Sequence, residues 1–255
     1  LPVVCVDLYP FFGPNDPNGP HTDAASKSFF RRNALKMMEA IGEEPAVGWI
    51  MFMCFSDIWG PREFNEEGHL VGLPGAYLHW RAPTLAEMRW QIWESVRAGA
   101  RGFVCYTLAP EAPNPDTATL EPPDVEWKHV LAKEPTDLGP NALTTPDGRA
   151  TPQLEEMGRV YAQLAPHTGL IRRWKPVKAT FVDVDAPAAL QCFVDPETGD
   201  QYAVIVNDDL RNPHDITLRA GESVTGLHDL IRAEDIPLTP DFAGGSAAGV
   251  VTLDA

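Results

Sequence analysis

The feature that most constrains this chain is the segment at 82–108, where a helix pattern runs directly into a buried-strand pattern. Thr84 is a good helix N-cap, and Glu87 three residues later completes a capping box. Apolar residues then recur at helical spacing, at Leu85, Met88, Ile92 and Val96. A short glycine-bearing turn leads to an unbroken apolar run at 103–108, which is typical of a parallel strand covered on both faces. The segment therefore predicts a helix, a tight turn and a buried strand, which is half of a βαβ unit.

Three strand–helix repeats of this kind are predicted in residues 1–165, with strands at 3–8, 47–55 and 103–108. The loops that leave these strands are long, at 11–21, 56–81 and 109–150, and the loops that leave the helices are short. This asymmetry is characteristic of a (β/α) barrel, whose active-site loops all follow the strands. A doubly wound open sheet is the alternative, and it is weakened because no glycine-rich phosphate loop follows any strand. We therefore predict an α/β fold that contains the last three βα units of a (β/α)8 TIM barrel.

The pattern changes near residue 169 to short apolar runs that are separated by turn clusters, with no helix pattern between them. These runs predict strands at 178–184, 190–194, 201–206, 215–218, 223–227 and 249–253. An antiparallel β-sandwich is therefore expected, and the predicted domains are 1–168 for the barrel part and 169–255 for the sandwich. The chain starts without Met and directly with a strand pattern, so we expect a longer parent protein that supplies the N-terminal half of the barrel. The sandwich is expected to be truncated at its C-terminal end.

Composition excludes some partners. The 255 residues are 44% hydrophobic, which suits a packed core, and the formal net charge is -16. Nucleic acid and anionic membranes both require clustered cations, so neither is expected as a partner. The sequence holds no apolar run long enough to span a bilayer. None of the four cysteines forms a C-x-x-C pair, and His21, His69, His79 and His129 lack metal-ligand spacing, so we predict no metal and no cofactor. The compartment is left open.

Four local patterns, in this order, resemble one family. They are Val6-Asp7-Leu8-Tyr9-Pro10 at a strand end, Arg81-Ala82-Pro83-Thr84 leading to the 98–103 turn, the 141–152 stretch before the third helix, and the 193–207 hairpin. Together they resemble the barrel glycoside hydrolases, especially β-galactosidase-like and related polysaccharide-degrading enzymes. That resemblance implies a fragment of a hydrolase that cleaves O-glycosyl bonds in a carbohydrate substrate.

The resemblance also implies catalytic carboxylates, because glycoside hydrolysis needs one protonated and one ionised carboxyl group beside the scissile bond. The chain departs from the family at strand seven, where the apolar Met53 stands near the expected glutamate. The remaining carboxylates near strand ends are the catalytic candidates, namely Asp7, Asp57 and Glu111. Each has an alternative role, since Asp7 could cap a turn and the other two could be solvated loop residues.

Flat aromatic side chains in the long loops suit the apolar faces of sugar rings. The predicted substrate-binding residues are Tyr9, Trp59, Trp80, Arg81 and Trp127. The alternative for each tryptophan is that it packs the loops together. At the level of the whole protein, a non-catalytic carbohydrate-binding barrel is the alternative to a hydrolase, and Met53 favours it. An unrelated α/β enzyme with a ligand site at its strand ends is a third possibility.

Overall fold

A computed structural model describes residues 2–14, 16–42, 46–64, 70–108, 142–144, 149–178, 181–241 and 246–254. The fold is a mixture of helices and strands and divides into two compact units. The first unit holds residues 1–88 and 102–158, and the second holds 89–101 and 159–255. Two of the helices thus contribute residues to both units, and the predicted boundary at 168/169 stays a prediction.

The first unit begins with a strand and alternates strands with helices. Its elements are β1 (Val3–Leu8), α1 (Asp23–Ile41), β2 (Val47–Met53), β3 (Asp57–Trp59), β4 (Arg62–Phe64), β5 (Leu70–Gly72), β6 (Tyr77–Trp80), the start of α2 (Leu85–Ala98), β7 (Gly102–Tyr106) and the start of α3 (Pro152–Leu164). The predicted bounds of β1 and α1 agree with the structure, because strong boundary signals, a Thr22 cap and a Gly42 stop, flank the helix.

The main sheet of this unit is parallel, with the strand order β1–β2–β7. Leu8 pairs with Phe52, and Met53 pairs with Tyr106, so all three strands end at the same edge. Helix α1 packs closely on one face, since a Cβ atom on Gly48 would lie only 2.6 Å from the sulfur of Met38. The residues that follow the strands are therefore brought together at one edge of the sheet.

The 56–81 segment, which we expected to be a loop, instead contains two antiparallel hairpins. Strand β3 pairs with β6, with a bulge between Asp57 and Ile58, and β4 pairs with β5. Each of these strands has only three or four residues. A strand this short shows too little alternation to be recognised in a sequence, which is why the prediction of a loop was wrong.

The predicted capping box of α2 forms. The Glu87 amide donates to the Thr84 hydroxyl at 3.2 Å, and the Thr84 amide donates to the Glu87 carboxylate at 2.8 Å. Glu87 also accepts two hydrogen bonds from the Arg81 guanidinium, at 2.7 and 2.5 Å. The start of this helix is thus fixed by one carboxylate that serves both the cap and an ion pair.

Thr84→Ala is expected to lower the free energy of unfolding by about 1 kcal/mol, since the Glu87 amide loses its hydrogen-bond acceptor. Urea denaturation followed by circular dichroism measures the loss. Thr84→Ser keeps the oxygen and serves as the matched control, with an expected change of less than half that amount. Equal losses in the two variants would show that the hydroxyl is not the cause.

The second unit is mostly antiparallel β structure. After a 3-10 turn at Ala165–His167 come α4 (Thr168–Arg173), β8 (Lys175–Val177), β9 (Val182–Val184), β10 (Ala188–Val194), β11 (Gln201–Asn207), β12 (His214–Ala220), β13 (Leu227–Asp229), β14 (Glu234–Ile236), β15 (Thr239–Asp241) and β16 (Ser246–Leu253). One sheet has the order β11–β10–β8 and another has the order β15–β16–β12–β9. Both sheets contribute to one core, in which Val182, Cys192, Ile216 and Leu218 are buried.

Two strand predictions in this unit were wrong. The run at 178–184 is not one strand, because β8 ends at 177 and β9 begins at 182, each in a different sheet. The run at 223–227 is not a strand either, since β13 begins only at its last residue. The first strand of the unit, β8, begins at 175, three residues before the predicted start at 178, and it follows the short helix at 168–173. Short apolar runs indicate burial here but do not identify which neighbour a strand will pair with.

Asp195 closes the turn between β10 and β11. Its carboxylate accepts from the Arg173 guanidinium at 2.6 Å and from the Glu197 amide at 3.0 Å. The Arg173 hydrogen bond, helped by the amide, holds the pKa of the Asp195 carboxyl below its ordinary value of 3.8. The ionised form therefore stabilises the folded state.

Asp195→Asn is expected to lower the melting temperature at neutral pH and to make it less sensitive to acid. A lowered pKa in the folded state gives a stabilisation that is complete well above the ordinary pKa of 3.8 and is lost as the pH falls through that value toward the folded-state pKa. The difference in melting temperature between the wild type and Asp195→Asn should therefore become smaller as the pH falls from about 5 to about 2.5. Thermal melts across this range measure it. A gap that stays constant would contradict the assignment.

Candidate functional site

Aromatic rings meet at the carboxyl edge of the parallel sheet. Tyr9, which follows β1, has its ring centroid 5.1 Å from Phe55 after β2 and 6.1 Å from Tyr106 at the end of β7. Phe55 and Tyr106 are themselves 5.2 Å apart, edge to face. Three neighbouring strand ends thus contribute one ring each, because parallel strands end at a common edge.

The β3–β6 hairpin adds two tryptophans to this group, which we call the aromatic cluster. The Trp80 ring lies 5.4 Å from Tyr9 and 5.5 Å from Trp59, in both cases edge to face. Trp80 is partly buried, and its indole N–H has no hydrogen-bond partner among the described residues. Trp59 is 44% exposed, so the cluster presents one indole to solvent. The predicted binding residues Tyr9, Trp59 and Trp80 are therefore neighbours.

The other two predicted binding residues have different outcomes. Arg81 donates to both oxygens of Glu87, and its guanidinium lies 4.9 Å from the centre of the Phe11 ring. These contacts give Arg81 a structural role at the start of α2, and its predicted role toward a sugar stays a prediction. Trp127 lies outside the described residues.

The candidate carboxylates Asp7 and Asp57 have different surroundings. Asp7 is exposed at the end of β1, opposite Met51 in the sheet register. Asp57 accepts a hydrogen bond from the Trp59 indole at 2.9 Å, which holds that ring in place. Glu111 lies outside the described residues. Met53, near which the resemblance to barrel glycoside hydrolases led us to expect a glutamate, is fully buried.

Asp7 affects the neighbouring phenol. Burial of Tyr9 raises the pKa of its hydroxyl well above the ordinary value, and the negative charge of Asp7 raises it further. The hydroxyl lies 3.1 Å from the sulfur of Met51, toward which it donates a weak hydrogen bond. Tyr9 therefore remains a neutral phenol across the physiological pH range and contributes an uncharged aromatic surface with one polar end.

A buried Asp16–His79 pair beneath this cluster was missed by the sequence analysis. His79 Nδ1 is hydrogen-bonded to Asp16 Oδ2, and the exposed fractions of the two residues are 6% and 2%. Segment 11–13 runs beside β6, since the Gly13 amide donates to the His79 carbonyl at 2.9 Å. A Cβ on Gly13 would lie 2.0 Å from the Leu78 carbonyl oxygen, so the backbone of segment 11–13 can lie this close to β6 only because residue 13 is glycine.

Two tryptophans enclose the histidine ring. Trp59 stacks on it at 3.8 Å and 25°, and Trp80 lies 3.9 Å away at 60°. The Asp16 carboxyl would have a raised pKa from burial alone, but hydrogen bonds from the Asn18 amide and from His79 outweigh burial and lower it. The pair is thus an ionised aspartate with a hydrogen-bonded imidazole, placed directly under the exposed Trp59.

Within the described residues, no group of three or more His, Cys, Asp or Glu side chains is placed to hold a metal ion. None of the described helices has the length and apolar character needed to cross a membrane. The described fold defines a mixed α/β protein whose parallel sheet carries an aromatic cluster at its carboxyl edge. No protein-family model, curated protein or solved structure matches the chain.

Proposed function

We propose that this chain is part of a carbohydrate-active protein and that a sugar ring binds on the aromatic cluster. The observation that carries the proposal is the meeting of Tyr9, Trp59 and Trp80 beside three parallel strand ends. Sugar rings have apolar faces that stack on indole and phenol rings, and they have hydroxyls that need polar partners at the rim. Trp59 supplies an exposed face, and Asp7 supplies an exposed carboxylate near Tyr9.

We further propose that β1, β2 and β7 are consecutive strands of a (β/α)8 barrel. They are parallel, they lie in chain order, and a helix is present in each of the two connections between them. The carboxyl edge of such a barrel is where binding and catalytic residues are found. The aromatic cluster lies at that edge, which supports a ligand site there.

Hydrolysis of the bound glycan is the second candidate function, and the position of Asp7 favours it. A carboxylate on a strand end is held more rigidly than one in a loop, and catalysis needs a preorganised group. The buried Met53 cannot act as nucleophile or acid. Asp7 would have to act with a carboxylate elsewhere, so binding is the function that the geometry supports better.

Trp59→Ala is expected to weaken the binding of a neutral oligosaccharide about 10- to 30-fold, because the exposed stacking surface is removed. A glycan array selects the ligand, and isothermal titration calorimetry measures the dissociation constant. Trp59→Phe keeps a flat ring and should retain most of the affinity. Leu230→Ala, at a 38% exposed leucine of the second unit, is a control that should not change it. Failure of the wild-type protein to bind any glycan would overturn the proposal.

A further inference from the structure

Asp7 and Tyr9 lie on one face of the parallel sheet. Side chains alternate along a strand, so residues two apart point to the same side. The Tyr9 hydroxyl reaches back to the sulfur of Met51 at 3.1 Å, and Met51 is the partner of Asp7 in the sheet register. The Asp7 carboxylate and the Tyr9 phenol are therefore neighbours at the carboxyl end of β1, close enough for the charge of Asp7 to act on the phenol.

The Asp7 carboxylate is accessible from this face. Helix α1 packs on the opposite face, where a Cβ on Gly48 would meet the side chains of Met38 and Ile41. Asp7 is exposed and Met51 beside it is half-buried. The carboxylate makes no hydrogen bond and no ion pair with any residue that the structure describes. A ligand on the aromatic cluster can therefore approach Asp7 without displacing one of these residues.

The aromatic cluster is long enough to hold two linked sugar rings. The ring centroids are 5.5 Å apart from Trp59 to Trp80 and 5.4 Å apart from Trp80 to Tyr9. Trp59 is exposed, and Trp80 and Tyr9 are half-buried. A sugar ring stacked on Trp59 would therefore have its neighbouring ring near Tyr9, beside the Asp7 carboxylate.

The charges around the cluster favour a cation. Asp7 lies beside the phenol, and Asp57 accepts from the Trp59 indole at 2.9 Å. The Arg81 guanidinium is already paired with both carboxylate oxygens of Glu87. The faces of aromatic rings carry a negative electrostatic potential, so the rings and the carboxylates attract charge of the same sign. The formal net charge of -16 adds to this attraction for cations.

We infer that the carbohydrate bound on the aromatic cluster is a glycan of amino sugars, in which one ring stacks on Trp59 and the protonated amine of the next ring pairs with Asp7. This inference rests on the proposed function and names the ligand class of the same site. An ammonium group combines a charge-assisted hydrogen bond to a carboxylate with attraction to aromatic faces, whereas a neutral hydroxyl offers only an ordinary hydrogen bond. A sulfate or carboxylate at that position would be repelled by Asp7.

A matched pair of oligosaccharides tests the preference for a cation. Cellotetraose and the glucosamine tetramer of the same linkage differ at one position of each ring, which carries a hydroxyl in the first and an amine in the second. At slightly acidic pH, where the amines are protonated, we expect the glucosamine tetramer to bind about tenfold more tightly in isothermal titration calorimetry. The preference should become smaller as the salt concentration rises, because salt screens pairs of exposed charges.

Asp7→Asn removes the charge and keeps the size of the side chain. We expect its preference for the glucosamine tetramer over cellotetraose to fall below about twofold, and we expect Asp7→Glu to keep most of the preference. Asp183→Asn, at an exposed strand position of the second unit, removes the same charge from the chain and is the matched control. It should keep the wild-type preference. Thermal melts check that the three variants are folded.

The outcomes separate the inference from the proposed function. Equal binding of the two tetramers by the wild-type protein, or binding of neither while a neutral glycan of the array binds, would overturn the inference and support the proposed function. A preference that survives in Asp7→Asn, or that falls equally in Asp183→Asn, would overturn the pairing with Asp7. No binding of any glycan by the wild-type protein would overturn both.

Discussion

Phe193→Ala is expected to lower the free energy of unfolding of the second unit by about 3–5 kcal/mol. Phe193 is fully buried in β10, and its ring stacks on Trp174 with centroids 4.3 Å apart at 16°. Alanine would remove this contact and leave a cavity that the neighbouring β11 and β8 strands cannot fill without moving. Urea denaturation, followed by tryptophan fluorescence and circular dichroism, measures the loss.

Phe193→Leu is the matched control, because leucine keeps most of the buried volume and loses only the flat ring. We expect it to cost less than about 1.5 kcal/mol. If leucine and alanine destabilise equally, the ring stacking with Trp174 and not the cavity would be the main contribution. If neither destabilises, the core position assigned to Phe193 is wrong.

Asp7→Asn is expected to lower turnover at least about 100-fold if the protein hydrolyses glycosides, which is the low end for losing a positioned acid–base group. Asparagine keeps the size and much of the hydrogen bonding of Asp7 but removes its charge. Because Asp7 is exposed on an edge strand, the melting temperature should change little. The turnover number on aryl glycosides and polysaccharides, measured with the melting temperature, tests both expectations.

The other two carboxylates provide the comparison. Asp57→Asn should act mainly through Trp59, whose indole loses a charged hydrogen-bond acceptor. We therefore expect this variant to raise KM and to change kcat less. Glu111→Gln completes the series. Turnover close to wild type in all three variants would show that these residues supply no catalytic carboxylate. Carbohydrate binding would then be the function of this part of the protein.

Local signals in the sequence predicted the elements that depend on local chemistry. The bounds of β1 and α1 and the capping box at Thr84 agree with the structure, because caps, stops and apolar periodicity act within a few residues. Tyr9 and Trp80, which we predicted to lie on the same face, are neighbours in the structure.

The features that the sequence did not predict depend on pairing between distant segments. Asp16 and His79 lie 63 residues apart in the chain, and no spacing rule connects an aspartate in a loop with a histidine in strand β6. The β3–β6 hairpin, which positions both tryptophans, was hidden because its strands have only three and four residues. Pairing of this kind is decided by tertiary packing and not by local propensity.

The register of the parallel sheet has a consequence for how the protein folds. At the strand ends, the Tyr9 hydroxyl contacts the sulfur of Met51, 42 residues away, and the Cys54 thiol contacts the Tyr106 carbonyl, 52 residues away. Closing chain segments of this length costs conformational entropy before the stabilising contacts can form. Parallel strands therefore assemble slowly compared with local hairpins. The aromatic cluster draws its rings from all three strands and from the hairpin. We therefore expect the aromatic cluster to form late in folding, after these chain segments have closed.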